Sequence, residues 1–135
     1  MLQRRILFIE DHQDTRELVT FVLEASGYSV TSETTVAAAL RLAETARFDL
    51  YLMDNWLPDG EGVELCERIR EFDGTTPVLF YSGAALDSDK LTAIRAGAQG
   101  YLAKPCPHSD LLRAVERLIA QAKGRERDEI HDLVA

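Results

Sequence analysis

The sequence predicts a doubly wound α/β fold, a parallel sheet with helices on both faces. Short apolar runs recur along the chain, and each is followed by a longer segment of helical periodicity. The runs are continuously apolar, where strands with one wet face would alternate. Five such strand-then-helix units imply right-handed crossovers and helices on both sides of the sheet. The 135 residues, 46% hydrophobic and 28% charged, fit one globular domain.

The strand runs are ILFI (6–9), YSV (28–30), DLYLM (49–53), PVLFYS (77–82) and GYLA (100–103). After the first, Leu18, Phe21, Val22 and Ala25 share a helical face; Asp14 and Glu17 are spaced as a capping box, and Gly27 is the stop. Val36, Ala39, Leu40 and Ala43 form the second stripe. Val63, Cys66, Ile69 and the stem of Arg70 form the third, ending near Gly74. Leu91, Ile94 and Ala98 form a weaker fourth, with Gly97 near its stop. Leu111, Leu112, Val115, Leu118, Ile119 and Ala122 form the clearest stripe, entered through Pro107. The domain is expected over residues 1–123. Residues 124–135, GRERDEIHDLVA, read as a charged C-terminal tail or the start of a linker helix, with Ile130, Leu133 and Val134 at helical spacing.

Fifteen basic against twenty-three acidic residues leave a net charge of −8. That balance argues against direct binding of nucleic acid or an anionic membrane through a basic face. Cys66 and Cys106 make no disulfide framework or metal pattern, as expected in a reducing compartment. The N-terminal stretch reaches acidic residues after four apolar ones, too few for a secretory signal. No run approaches the ~20 apolar residues of a membrane span. A cytoplasmic location is expected.

In a doubly wound sheet, function collects where strand carboxyl ends open into loops. The first strand ends in Glu10-Asp11, the third in Asp54, the fourth in Ser82-Gly83 and the fifth in Lys104-Pro105. Glu10, Asp11 and Asp54 bring −3 to that edge and Lys104 brings +1, leaving −2. Carboxylates this close raise one another's pKa unless a cation compensates. Oxygen donors without His or Cys suit Mg²⁺ or Mn²⁺. With charge neutralised, Asp54 can attack a phosphoryl group whose other oxygens are held by Lys104 and Ser82.

The strings ILFIEDH, LMDNWLPDG, LFYSG and GYLAKP together resemble the receiver domain of two-component response regulators, over approximately residues 4–122. The resemblance implies a flavodoxin-like (βα)₅ fold, phosphorylated on aspartate by a histidine kinase or phosphotransfer protein and signalling to a downstream effector. Position by position, Asp54 matches the phosphoacceptor, and Glu10 and Asp11 the acidic pair that holds Mg²⁺. Trp56 matches the position whose backbone carbonyl joins the metal. Ser82 matches the switch hydroxyl, Lys104 the phosphate-binding lysine, Lys104-Pro105 the customary cis peptide, and Tyr101 the aromatic switch residue. Glu10 replaces the commoner Asp, and Cys106 stands where many receivers carry Phe.

Three functions compete at this stage. The leading one is a signalling switch, not an enzyme with an external substrate, that promotes its own phosphorylation and dephosphorylation. The alternative is a phospho-independent interaction module, which typically lacks one of the acidic or lysine positions retained here. A hydrolytic phosphatase with an aspartyl intermediate usually places its nucleophile after the first strand in a D-x-D pattern, where this chain has Glu10-Asp11-His12. Trp56 reads either as a cover over the site or as an exposed partner contact. Homodimerisation through the fourth-helix to fifth-helix face is open, as is whether the chain stands alone or forms part of a longer regulator.

Overall fold

The computed structural model describes residues 3–134. In chain order the elements are β1 (Arg5–Ile9), α1 (Gln13–Ala25), β2 (Ser29–Glu33), α2 (Val36–Thr45), β3 (Leu50–Met53), β4 (Trp56–Leu57), β5 (Gly60–Glu61), α3 (Gly62–Arg70), β6 (Val78–Ser82), α4 (Asp87–Arg95), β7 (Gly100–Ala103) and α5 (His108–Val134). Five strands form one parallel sheet in the order β2-β1-β3-β6-β7. The short strands β4 and β5 make a separate antiparallel hairpin. The doubly wound prediction holds, and the chain order reverses between β1 and β3, which puts the crevice beside their carboxyl ends.

The continuous apolar runs follow from burial on both faces. In β1, Ile6 and Phe8 join the core under α1 and α5, with Val19, Leu23, Leu111, Val115 and Leu118. Leu7 and Ile9 point the other way, into the core under α2, α3 and α4. All four are fully buried, each worth about 1.5–3 kcal/mol of transfer free energy. The α2 stripe is as expected: Val36, Ala39, Leu40 and Ala43 are its buried residues.

Other helices depart from expectation. In α1 the buried residues are Val19 and Leu23, while Leu18 and Phe21 are 51% and 71% exposed. The helix carries two adjacent apolar faces, and periodicity alone does not say which meets the sheet. Its N-cap is His12, whose ring accepts from the Thr15 amide, so Asp14 and Glu17 do not form the cap. In α4 only Ala93 is buried; Leu91 and Ile94 are on the outer surface. In α3, Leu65 is buried beside Cys66 and Ile69, Val63 is only half-buried, and the helix ends at Arg70, before Gly74. The second strand starts at Ser29 and runs on to Glu33. The charged segment 124–134 continues α5 without a break, with Ile130, Leu133 and Val134 exposed.

Candidate functional site

Parallel strands deliver their carboxyl ends to one edge, so the site is assembled by topology. Glu10 and Asp11 follow β1, Asp54 follows β3, Ser82 closes β6 and Lys104 follows β7. An open cleft of about 790 Å³ is lined by Glu10, Asp11, Asp54, Trp56, Gly83, Lys104 and the residues 12–15 that open α1. Glu10 is fully buried, Asp54 is 8% exposed and Asp11 is exposed.

Lys104 ties the acidic residues together. Its Nζ lies 2.5 Å from Glu10 Oε1 and 3.3 Å from Asp54 Oδ2. Burial works to lower the lysine's pKa, but the Glu10 hydrogen bond and the two carboxylate charges outweigh it and hold the ammonium above its ordinary range. Burial, aided by the nearby Asp54 charge, pushes the Glu10 carboxyl up in spite of Lys104. The other Asp54 oxygen, Oδ1, accepts from the Asn55 amide at 2.7 Å. The Lys104–Pro105 peptide is cis, as the family resemblance implied.

The donor set fits a hard divalent cation. One carboxylate oxygen each from Glu10, Asp11 and Asp54 lies within 4.8 Å of the others, with no nitrogen or sulfur donor among them. One ammonium against three carboxylates leaves the −2 that a cation would neutralise. Trp56 lines the same cleft and is 57% exposed.

The remaining expected residues stand one layer back. Ser82 is fully buried, and its Oγ accepts from the Ala84 amide at 3.3 Å. Tyr101 pairs in register with Phe80 across β6 and β7, and their rings stack with centroids 5.7 Å apart. The Tyr101 hydroxyl donates to the Ala84 carbonyl, on the loop that follows Ser82. Thus the Ser82 and Tyr101 hydroxyls bond the same residue, one its amide and the other its carbonyl.

Three contributors escaped the sequence reading. Arg16 Nη1 donates to the backbone carbonyls of Glu10 and Asp11 at 3.0 and 3.2 Å, fixing the acidic pair from α1. The Tyr81 ring lies 5.2 Å from Lys104 Nζ, a cation–π contact at the site's margin. Asp59 accepts from the Val36 and Ala37 amides of α2. Arg16 had a local signal, a basic side chain one turn into the helix after the acidic pair; the other two contacts are long-range. Gly62, by contrast, has a plain steric reason. A Cβ there would collide with the Asp54 carbonyl and stand 2.9 Å from the Phe80 ring, so only glycine lets α3 start beneath the site.

A five-stranded parallel sheet of this order, with an acidic cleft at its carboxyl edge, defines the CheY-like, flavodoxin-like class of signalling domain. The response regulator receiver domain model matches residues 6–116, and the chain belongs to that family. The transcriptional regulatory protein CseB of Streptomyces coelicolor is 36% identical over 130 residues, covering 94% of this chain and 55% of that protein. The chain therefore spans about half the length of that regulator. A CheY-like receiver domain protein from Methanospirillum hungatei superposes with a TM-score of 0.88 at 28% identity, covering 92% of this chain and 99% of that one. The receiver domain of the sensor histidine kinase PA1611 of Pseudomonas aeruginosa, solved with magnesium coordinated in its active-site cleft, gives 0.82 at 31% identity, covering 88% and 99%. Among the described residues, no helix is long and apolar enough to cross a membrane.

Proposed function

We propose that this receiver domain takes a phosphoryl group onto Asp54 from a phosphohistidine of a sensor kinase or phosphotransfer protein. Asp54 carries the reading: it is a nearly buried carboxylate at the cleft floor, with Oδ1 held by the Asn55 amide and Oδ2 facing Lys104. An Asp54 oxygen attacks phosphorus; the new P–O bond forms as the donor's P–N bond breaks, and its electron pair stays on the imidazole. Lys104 transfers its ammonium from the carboxylates to a phosphoryl oxygen, and the Ser82 hydroxyl approaches another. Glu10, Asp11, Asp54 and the Trp56 backbone carbonyl would hold Mg²⁺ or Mn²⁺, which supplies neutralisation of the phosphoryl charge.

The added charge is read through the loop after β6. Movement of Ser82 toward Asp54 pulls on the Ala84 segment, to which Tyr101 is bonded. The surface of α4, β7 and α5 then shifts its population between two arrangements. That surface exposes Leu86, Leu91 and Ile94, which suits a downstream effector or a second copy of the chain. The exposed Leu18 and Phe21 of α1, the helix whose first turn lines the cleft, suit the phosphodonor protein. A cytoplasmic setting follows from such partners. Residues 1–123 form the working domain in this reading, with 124–134 as its helical extension.

Incubation with Mg²⁺ and acetyl phosphate, followed by intact mass, tests the assignment. A single added phosphoryl group that decays slowly supports it. No addition favours the phospho-independent module, and rapid multiple turnover favours a phosphatase.

A further inference from the structure

We propose that Asp59 is a positioning residue for the cleft: by capping α2 it holds the β4–β5 hairpin, and with it the Trp56 backbone, where a bound cation requires it. The proposal rests on the receiver reading above and deepens it.

The loop from Asp54 to Gly62 is tied firmly at its ends. The Asp54 amide donates to the Ile9 carbonyl at 3.1 Å and the Gly62 amide to the Asn55 carbonyl at 2.8 Å. Asn55 Oδ1 accepts from the Val63 amide at 3.2 Å, capping α3. Between these ties stands a hairpin with two residues in each strand, Trp56 opposite Glu61 and Leu57 opposite Gly60. A ladder that short does not persist by itself in water. Leu57 packs against the core from one side. On the other, Asp59 Oδ1 accepts from the Val36 amide at 2.7 Å and Oδ2 from the Ala37 amide at 3.0 Å. Among the described residues, these are the only hydrogen bonds that join residues 57–60 to another part of the fold.

The helix needs what Asp59 supplies. The first turn of α2 contains no acidic residue, and its own cap, Thr35, takes only the Ala38 amide. Two unpaired amides remain, and one carboxylate from 22 and 23 residues away satisfies both. These bonds hold the Asp59 carboxyl below its ordinary range. They also direct its negative charge onto the positive end of α2 and away from a cleft that already carries −2. Gly60 completes the contact: a Cβ there would stand 3.4 Å from Val36 Cγ2, so the hairpin lies against the first turn of α2. Trp56 sits in the strand that this tip closes, and it lines the cleft.

The test uses the full chain and three variants: Asp59→Ala, Asp59→Asn and Thr35→Ala. Thr35→Ala removes a cap from the same helix without touching the hairpin, so it controls for simple loosening of α2. Mg²⁺ affinity is measured by fluorescence of Trp56, the single tryptophan, and independently by calorimetry; stability is measured in urea. Asp59→Ala is expected to weaken Mg²⁺ binding about 10-fold, the order found for groups that support a ligand from behind. Asp59→Asn, which keeps one acceptor oxygen for two amides, should fall between Asp59→Ala and the wild type. Thr35→Ala should lower the urea midpoint with Mg²⁺ affinity unchanged. Equal Mg²⁺ affinity in Asp59→Ala and the wild type overturns the proposal, as does an equal loss in Thr35→Ala. If the wild type itself binds no Mg²⁺, the receiver reading of the cleft fails and the proposal falls with it. If the wild type binds Mg²⁺ and is phosphorylated while Asp59→Ala matches it, only the role of Asp59 is lost.

Discussion

At the amino ends of the strands the Arg70 guanidinium donates twice to the Gly97 carbonyl, at 3.1 and 2.9 Å, once to the Asp73 carbonyl at 3.0 Å and once to Gln99 Oε1 at 2.9 Å. At the carboxyl ends Lys104 faces Glu10 and Asp54, with Asp11 beside them. The first cluster is balanced. Asp73 caps Thr75 and Thr76 and accepts from the Tyr51 hydroxyl, and Gln99 also accepts from the Val78 amide. The second is short of positive charge by two. Both ends gather polar groups on the same scaffold, half-buried or exposed around Arg70 and buried at Glu10, Asp54 and Ser82. The contrast therefore separates polarity that holds a fold from polarity that the proposed reading assigns to a ligand. The amino end joins α3 to the turn after α4; in the proposed reading the carboxyl end holds a cation and takes a phosphoryl group.

The sharpest break of this contrast is Asp54→Ala. It should abolish phosphorylation completely while far-UV circular dichroism stays unchanged. Metal-free stability should stay level or rise, because one of three like charges is gone. Residual aspartyl labelling would count against the assignment. Arg70→Met should act in reverse, costing about 2–3 kcal/mol in urea unfolding through lost hydrogen bonds. Its Mg²⁺ affinity should equal that of the wild type. A substantial loss of Mg²⁺ binding in Arg70→Met would show that the two ends are not independent.

The ends should also answer acid with opposite sign. Burial works to raise the Asp73 pKa, but the Thr76, Thr75 and Tyr51 hydrogen bonds overcome it and hold it below 3.8. Its contribution to stability is therefore present above 3.8 and lost as pH falls through the lower folded value. Glu10 is raised above 4.5, chiefly by burial. The folded protein holds that proton more tightly than the unfolded chain does. Stability linked to Glu10 is therefore present below 4.5 and lost as pH rises through the folded value. Urea unfolding across this range should show Asp73→Asn flattening the acid limb and Glu10→Gln flattening the limb just above it. Identical profiles for the two variants would contradict the contrast.

The smallest effect concerns Trp56. The indole is 57% exposed yet lines the cleft, so it shields the approach of water only in part. Trp56→Asn should shorten the phosphorylated half-life severalfold, within about 1.4 kcal/mol of barrier. An unchanged half-life would assign the indole to partner contact alone.

Much of this was legible in the residues because parallel strands impose a simple rule. Once ILFI, DLYLM, PVLFYS and GYLA are taken as buried strands, Glu10, Asp54, Ser82 and Lys104 must share an edge. The α2 stripe was legible because Val36, Ala39, Leu40 and Ala43 recur at three- and four-residue spacing, although Leu42 also packs partly against that core. In α1, Leu18 and Phe21 compete with Val19 and Leu23, and the choice is made by packing against β1 and α5, which periodicity does not encode. In α4, Leu91 and Ile94 look like core residues but remain outside, while a single alanine is buried. The capping of α2 by Asp59 and of α1 by the His12 ring lay beyond local pattern. One partner lies in a loop over twenty residues away, and the other is not among the usual capping residue types.

Reductive trapping tests the central claim most directly. The protein is phosphorylated with acetyl phosphate and Mg²⁺, treated with borohydride, digested and sequenced by mass spectrometry. Borohydride cleaves an aspartyl phosphate to homoserine, leaving a mark at the acceptor. The account predicts homoserine at position 54 alone, and none when Mg²⁺ is chelated. Homoserine at position 11, phosphate on a histidine or serine, or labelling indifferent to Mg²⁺ would contradict it.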